Sequence, residues 1–279
     1  MSGIIRPIIV EPLKHIYNMV RNRDYFTYSK LCSQIGRVPR YHDCKIKLNG
    51  WDLLIPDSKS FLGSYKEIFL ERIYEVRSDK KEKKILDLGS NVGLSVLFFK
   101  HIYPEAEIIA IEADPKIFKY LEKNVYGNGY NDVKLVNKAV WHENTIVNFV
   151  SEGADAGHIA EGEEPNIIQI QAVDIGEILQ NSEFDLVKMD IEGSEEFVLP
   201  RCEGFLEKIN YIFIEYHSKV GRKQCLNQIL GILSEADFRV NISNVMHNHS
   251  GFCHAKAPAG FDMQLNIFAW KDQHENMLG

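Results

Sequence analysis

Side-chain types and spacing suit chemistry at three places in this 279-residue sequence. Two are pairs of ionisable residues two positions apart, Lys188 with Asp190 and Glu215 with His217. The third is a glycine-spaced acid, Asp87-x-Gly89-x-Asn91-x-Gly93. In an extended strand, residues i and i+2 share a face, so each pair presents two functional groups on one side. Lysine, carboxylates and histidine at one sheet edge are the material of a general base and an electrostatic clamp. In the third stretch, Gly89 and Gly93 let backbone approach a ligand where a Cβ would collide. A phosphate cradle wants bare N–H groups and no carboxylate, and the G-x-G-x-x-G spacing is absent. Asp87 suits instead a ligand with a cationic end, such as an ammonium or a sulfonium.

Glu112 completes that signal by closing the apolar run Ile108 to Ile111. An acid at the end of the second strand of a βαβ unit accepts the hydroxyls of a ribose. The crevice is therefore expected to hold a ribonucleoside joined to a positive charge. S-adenosylmethionine meets both demands. A nicotinamide-dependent oxidoreductase is the rival enzyme class, since Glu112 serves NAD equally; Asp87 and the missing glycine spacing weigh against it. A module that binds a nucleoside without catalysis is the rival outside enzymology, and the four clustered groups weigh against that.

The elements that must position these residues follow from periodicity. From residue 84 the pattern alternates strand and helix, the mark of a parallel α/β sheet. Strands are predicted at 84–88, 107–112, 133–137, 184–189 and 211–214, with helices over 93–103, 115–125 and 221–235. Asp114-Pro115 supplies an N-cap and a first-turn proline for the second helix. Parallel strands end on one edge, so Asp87, Glu112, Lys188, Asp190, Glu215 and His217 converge there. Thr145 to Val150 and Ile167 to Val173 alternate and flank an acidic, glycine-rich loop containing His158, a β excursion with a substrate-facing or solvated loop. Phe238 to Ile242 and Gln264 to Trp270 would make a closing antiparallel pair. Upstream, residues 1–83 read as a separate extension: a helical leader to about 45, a hairpin turning at Asn49-Gly50, and an amphipathic helix from Ser60 to Val76 that could lid the crevice. In that helix Tyr65 and Glu67 are candidates to touch a ligand, against plain core and surface roles. The methyl-donor domain is then 84–279.

Composition bounds the classes. Hydrophobic residues at 45% and charged residues at 25% describe an ordinary globular chain. A net charge of −7 without a basic stripe argues against nucleic acid as a partner. Arg6, Pro7, Glu11, Pro12 and Lys14 break the apolar N-terminus, so neither a signal peptide nor a membrane span is expected. Five scattered cysteines with no C-x-x-C suit a reducing, cytoplasmic setting. His247, His249, Cys253 and His254 fit no specific metal spacing, and a long connection near the substrate mouth is the preferred reading there.

The residues DLGSNVG at 87–93, IEADP at 111–115, the Asn124-Val pair, NKAV at 137–140 and above all KMDIEGSE at 188–195 resemble the FkbM family of S-adenosylmethionine-dependent methyltransferases. The likeness also takes in residues 49–76 and IEYH at 214–217, and covers about 48–270 in order. It implies the class I methyltransferase fold, Rossmann-like, with seven mostly parallel strands and an antiparallel last strand. It implies O-methylation, commonly of a sugar, glycan or polyketide. By this analogy Asp87, Gly89 and Asn91 line the methionine side, with Ser90 standing where many members carry alanine. Glu112 and Ala113 lie at the ribose, Asn137, Lys138 and Ala139 approach the adenine, and Asp190 lies near the sulfonium. The acceptor is then a small molecule or glycan, and oligomeric state stays open. His217 or Asp190 is the expected base, with Lys188 and Glu215 orienting or polarising. The structural alternative is that Asp190 and Glu192 cap the next helix and Lys188 pairs with Asp190. A divalent metal is not expected, although Asp190, Glu215 and His217 would be its ligands in a metal-assisted variant.

Overall fold

The computed structural model describes residues 17–153, 157–160, 162, 164–245 and 260–271. The chain forms two compact units, Met1–Glu75 and Val76–Gly279. In the first, helix α1 (Arg23–Ile35) begins at Asn22, whose side chain accepts from the Tyr25 backbone. Strands β1 (Cys44–Leu48) and β2 (Trp51–Ile55) form the expected hairpin. Asn49 and Gly50 both take positive φ, 50° and 94°, as a tight primed turn requires. Helix α2 (Ser58–Tyr65) is capped by Asp57 and passes into one π-helical turn, Lys66–Leu70. The helix expected to reach Val76 stops there: Glu71 N–H reaches back five residues to Lys66 O, and Arg72 adopts φ 54°. Tyr65 is fully buried and stacks 4.8 Å from Phe69, so it is a core residue of this unit.

The second unit is a seven-stranded sheet. Its strands are β3 (Lys84–Leu88), β4 (Glu107–Glu112), β5 (Lys134–Asn137), β10 (Phe184–Met189), β11 (Ile209–Lys219), β12 (Arg239–Asn244) and β13 (Phe261–Trp270), in the order β12-β13-β11-β10-β3-β4-β5. Only β13 runs antiparallel to its neighbours. This is the class I methyltransferase arrangement. Every residue of β10 is buried, as a central parallel strand covered on both faces demands. The compact unit begins eight residues before β3 because that stretch is tied to the sheet: Val76 N–H donates to Tyr103 Oη at 2.9 Å, Tyr211 Oη donates to Arg77 O at 2.8 Å, and Lys80 pairs with Asp185 at 2.7 Å.

Helices α3 (Leu94–Ile102) and α4 (Pro115–Tyr126) follow β3 and β4, and Asp114 caps α4 as its sequence indicates. The excursion is a four-stranded sheet of β6 (Ala139–Trp141), β7 (Thr145–Val150), β8 (His158–Ile159) and β9 (Ile167–Asp174), ordered β6-β9-β7-β8. Helices α5 (Ile175–Gln180), α6 (Glu195–Cys202) and α7 (Leu226–Glu235) complete the unit. Strand β11 runs five residues past the predicted Ile214, because its residues to Lys219 pair with β13. Glu215 and His217 therefore stand within a strand. Helix α7 starts later than predicted, at Leu226. Among the described residues no helix is long and apolar enough to cross a membrane.

Gly93 packs rather than lines a cleft. Its φ is +89°, and a Cβ there would stand 2.8 Å from Leu121 Cδ1 and 3.1 Å from Val125 Cγ2. Gly93→Ala is expected to lower stability by ~1–3 kcal/mol, from left-handed strain and overpacking. Urea denaturation checks this; an unchanged midpoint would contradict the assignment.

Candidate active site

The carboxyl ends of β3, β4 and β10 meet around one cleft that opens to solvent. Gly89 is where β3 turns. With φ +79°, any Cβ would lie 1.8 Å from Asp190 O, so this approach of two strand ends admits glycine alone. Gly89 and Ser90 both donate backbone N–H to Ile111 O, at 2.9 and 3.0 Å, and Asp190 N–H donates to Leu88 O at 3.1 Å. The three strand ends are thereby sewn together.

Glu112 sits at the cleft in a backbone clamp. Asn91 N–H donates to its Oε2 at 2.8 Å and Asp114 N–H to its Oε1 at 2.9 Å. Burial nevertheless outweighs these bonds and pushes its carboxyl up to about 7. Of the residues proposed from sequence, Gly89, Asn91, Glu112, Ala113, Lys138, Ala139 and Asp190 line the cleft. Asn137 stands behind it, donating its amide to Glu112 O at 2.9 Å and so holding the end of β4. Ser90 is buried and donates to Asp87 O at 3.0 Å.

Asp87 and Lys188 are placed under the floor. Asp87 is fully buried; Ser95 Oγ donates to its Oδ2 at 2.5 Å, and Oδ1 lies 3.5 Å from Lys188 Nζ without a hydrogen bond. Lys188 Nζ donates to Gly89 O at 2.6 Å and pairs with Asp190 Oδ2 at 3.3 Å. Burial alone would lower the lysine, but the Asp190 and Asp87 carboxylates hold it above its ordinary range.

A second cluster adjoins the cleft. His217 side chain is 1% exposed, with Nδ1 at 3.3 Å from Glu195 Oε1 and Nε2 at 3.7 Å from both Glu192 and Glu215. Gln264 bonds Glu215 and lies 3.2 Å from His217 Nε2. Burial opposes the imidazolium, yet Glu195, Glu192 and Glu215 hold it well above the usual histidine range. Burial also raises Glu192 well above the carboxylate range, against the pull of His217. Glu192 and Ser194 line the cleft, whereas His217 and Glu215 do not. Asp190, Glu192 and His217 each bring a ligand-type atom within 4.8 Å of the others, a set able to hold a cation in which Glu192 stands instead of Glu215.

Helix capping does not account for these acids. The N-cap of α6 is Ser194, and Glu195, not Asp190 or Glu192, accepts from the Ile191 and Gly193 backbone at 3.1 and 3.2 Å. From the sequence alone Glu192 reads as a cap of the next helix. Its signal was the Glu-Gly turn after a buried strand, where φ of 54° and 90° at Glu192 and Gly193 shape the loop beside the cleft. Phe149, Gly157 and Ile159 also line the cleft from the excursion, while His158 between them pairs with Glu164 at 3.1 Å. The histidine-rich stretch with His247, His249, Cys253 and His254 lies outside the described residues.

Residues 87–240, more than half of the chain, match the family described as the methyltransferase FkbM domain. "Methyltransferase 1" of Beauveria bassiana is 24% identical over 160 residues, covering 48% of this chain and 64% of that protein. "Methyltransferase sdnD" of Sordaria araneosa is 38% identical over 61 residues, covering 22% of this chain and 24% of that protein. Both matches thus span less than two thirds of the relative. A crystal structure of methyltransferase FkbM from Methylobacillus flagellatus KT is 16% identical with a TM-score of 0.45, covering 88% of this chain and 59% of that one. On the match of residues 87–240 to its domain, this chain belongs to the FkbM methyltransferase family.

Proposed function

We propose that this chain transfers the methyl group of S-adenosylmethionine to a hydroxyl oxygen of a sugar, glycan or small natural product. The observation that carries the cofactor is Glu112, a carboxylate at the cleft with both oxygens fixed by backbone N–H groups. An acid so held is ready to accept two ribose hydroxyls. Gly89 supplies bare backbone beside it, and Asp190 supplies negative charge for a sulfonium. Asp87 was expected to face that cationic end; its place beneath Lys188 makes it a support, with Asp190 at the surface in its stead.

When bound, S-adenosylmethionine supplies an electrophilic methyl group and a thioether leaving group. The chain's task is to align the acceptor oxygen with the methyl carbon and sulfur, and to receive the hydroxyl proton. Asp190 and Glu192 line the cleft and meet the acceptor, with His217 behind Glu192 and anchored by Glu195. Lys188 fixes Asp190, and Glu215 flanks His217. The acids around the acceptor end favour a neutral polyol over an anionic acceptor such as nucleic acid.

Two tests follow. Ribose hydroxyls bind the ionised carboxylate, whereas ligand-free Glu112 titrates near 7. Affinity for S-adenosylhomocysteine is expected to rise from pH 6 to pH 8 with proton release, and Glu112→Gln should remove both effects in calorimetry. For folding the sign is reversed: the folded carboxyl keeps its proton up to about 7, so stability falls as pH rises from its ordinary value of 4.5 to about 7 and is level above that, and ligand binding relieves the cost. An unchanged pH profile in Glu112→Gln would exclude the ribose contact. The second test is transfer of labelled methyl to a panel of hydroxylated sugars and phenols. Asp190→Ala should lower turnover by ~10²–10⁴-fold, the scale of a lost proton acceptor, and His217→Ala should lower it indirectly, by releasing Glu192 and Glu195; wild-type rates in both would remove these assignments.

A further inference from the structure

We propose that the β6–β9 excursion is part of the cofactor site, with Phe149 and Ile159 walling the end that takes the adenine base and Ser151 tying that wall to the ribose acid. The proposal rests on S-adenosylmethionine being the ligand of this cleft.

The cleft offers both kinds of surface: Asn91, Glu112, Asp114, Lys138, Asp190 and Glu192 are polar lining residues, whereas Ile117, Ala139, Val140, Phe149 and Ile159 are apolar ones. A nucleoside sulfonium has matching halves, a flat apolar base and a charged amino-acid arm. With the ribose at Glu112, the base is directed towards α4 and the excursion, away from Asp190.

The excursion is built for that wall. Phe149 on β7 and Ile159 on β8 are direct antiparallel partners, so their side chains share one face. Phe149 is 4% exposed and belongs to a small separate core with Ala139, Val147, Ile170 and Ala172, which Ala113 and Ile159 join. Gly157 leaves the ring its place: a Cβ there would stand 2.9 Å from Phe149 Cζ and 3.1 Å from Cε1. At the end of β7, Ser151 Oγ donates to Asp114 Oδ2 at 2.6 Å. The other oxygen of Asp114 caps α4, and its own N–H donates to Glu112 Oε1 at 2.9 Å. One residue, Asp114, therefore joins the wall and the helix through its carboxylate and the ribose acceptor through its backbone N–H.

Calorimetry with S-adenosylhomocysteine and methylthioadenosine, which keeps base and ribose but lacks the amino-acid arm, tests this on the full chain. Phe149→Ala is expected to weaken both ligands by the same ~10-fold or more, the scale of a lost aromatic contact plus its buried area. Ile159→Ala and Ser151→Ala should weaken both by equal, smaller factors, and they keep the test alive if the phenylalanine variant fails to fold by circular dichroism. Asp190→Asn serves as the reference, moving S-adenosylhomocysteine more than methylthioadenosine. Wild-type affinities in folded Phe149→Ala and Ile159→Ala would overturn the wall while leaving the cofactor reading intact. Loss confined to S-adenosylhomocysteine would put the excursion at the amino-acid end and also overturn it. If the wild-type chain binds neither ligand, the cofactor reading falls and the wall with it.

Discussion

A buried ammonium holds this site together. Lys188 lies in the central strand β10 with a side chain 3% exposed, and its charge is shared by Asp87, Asp190 and the carbonyl of Gly89. Each partner belongs to the end of β3 or β10, so one cation fixes where the two strand ends stop. Removing Lys188 would leave the fully buried Asp87 carboxylate without its counter-charge, a cost of ~3–5 kcal/mol for such pairs. The glycine at 89 is a consequence, since strand ends pulled this close leave no room for a Cβ beside Asp190 O.

From that constraint the cleft inherits its shape and its charge. Asp190 is held at the surface of the cleft by the same lysine that neutralises Asp87 below. Glu112 is set by the neighbouring strand, through the Gly89 and Ser90 bonds to Ile111 and the backbone clamp on its carboxylate. The ligand thus meets two acids of different character. Glu112 is desolvated and titrates near neutrality, suited to hydroxyl donors. Asp190 is paired and partly exposed, suited to a cationic centre. Beyond Asp190, the His217 cluster puts a proton-rich network against the cleft without occupying it.

Much of this was legible in the sequence because local rules and tertiary need agree there. The strands at 84–88, 107–112 and 184–189 are apolar runs that the sheet buries, and they stand where periodicity put them. Glu112 was legible because the end of a strand is a defined place. Asp87 was misread in one respect: spacing gives its position but not its partner, and only the fold reveals that Lys188 lies between it and the cleft floor's upper acid. Strand β11 was read too short because Glu215, His217 and Lys219 break the apolar pattern, while pairing with β13 extends it regardless. The role of Phe149 was hidden for a similar reason. Alternation marks it as inward on its own strand, but which cavity that face borders depends on how β7 and β8 are placed beside β6 and the start of α4.

The most direct measurement is parallel calorimetric titration of the wild-type chain with S-adenosylhomocysteine and NAD. Both ligands carry adenosine and both can use Glu112, so the comparison isolates what lies beyond the ribose. With Asp190 at the cleft and no phosphate cradle in the Gly89 turn, S-adenosylhomocysteine should bind at a single site and NAD should not bind measurably. Binding of NAD without S-adenosylhomocysteine would contradict the account, because it would make the cleft a pyrophosphate site despite its acids.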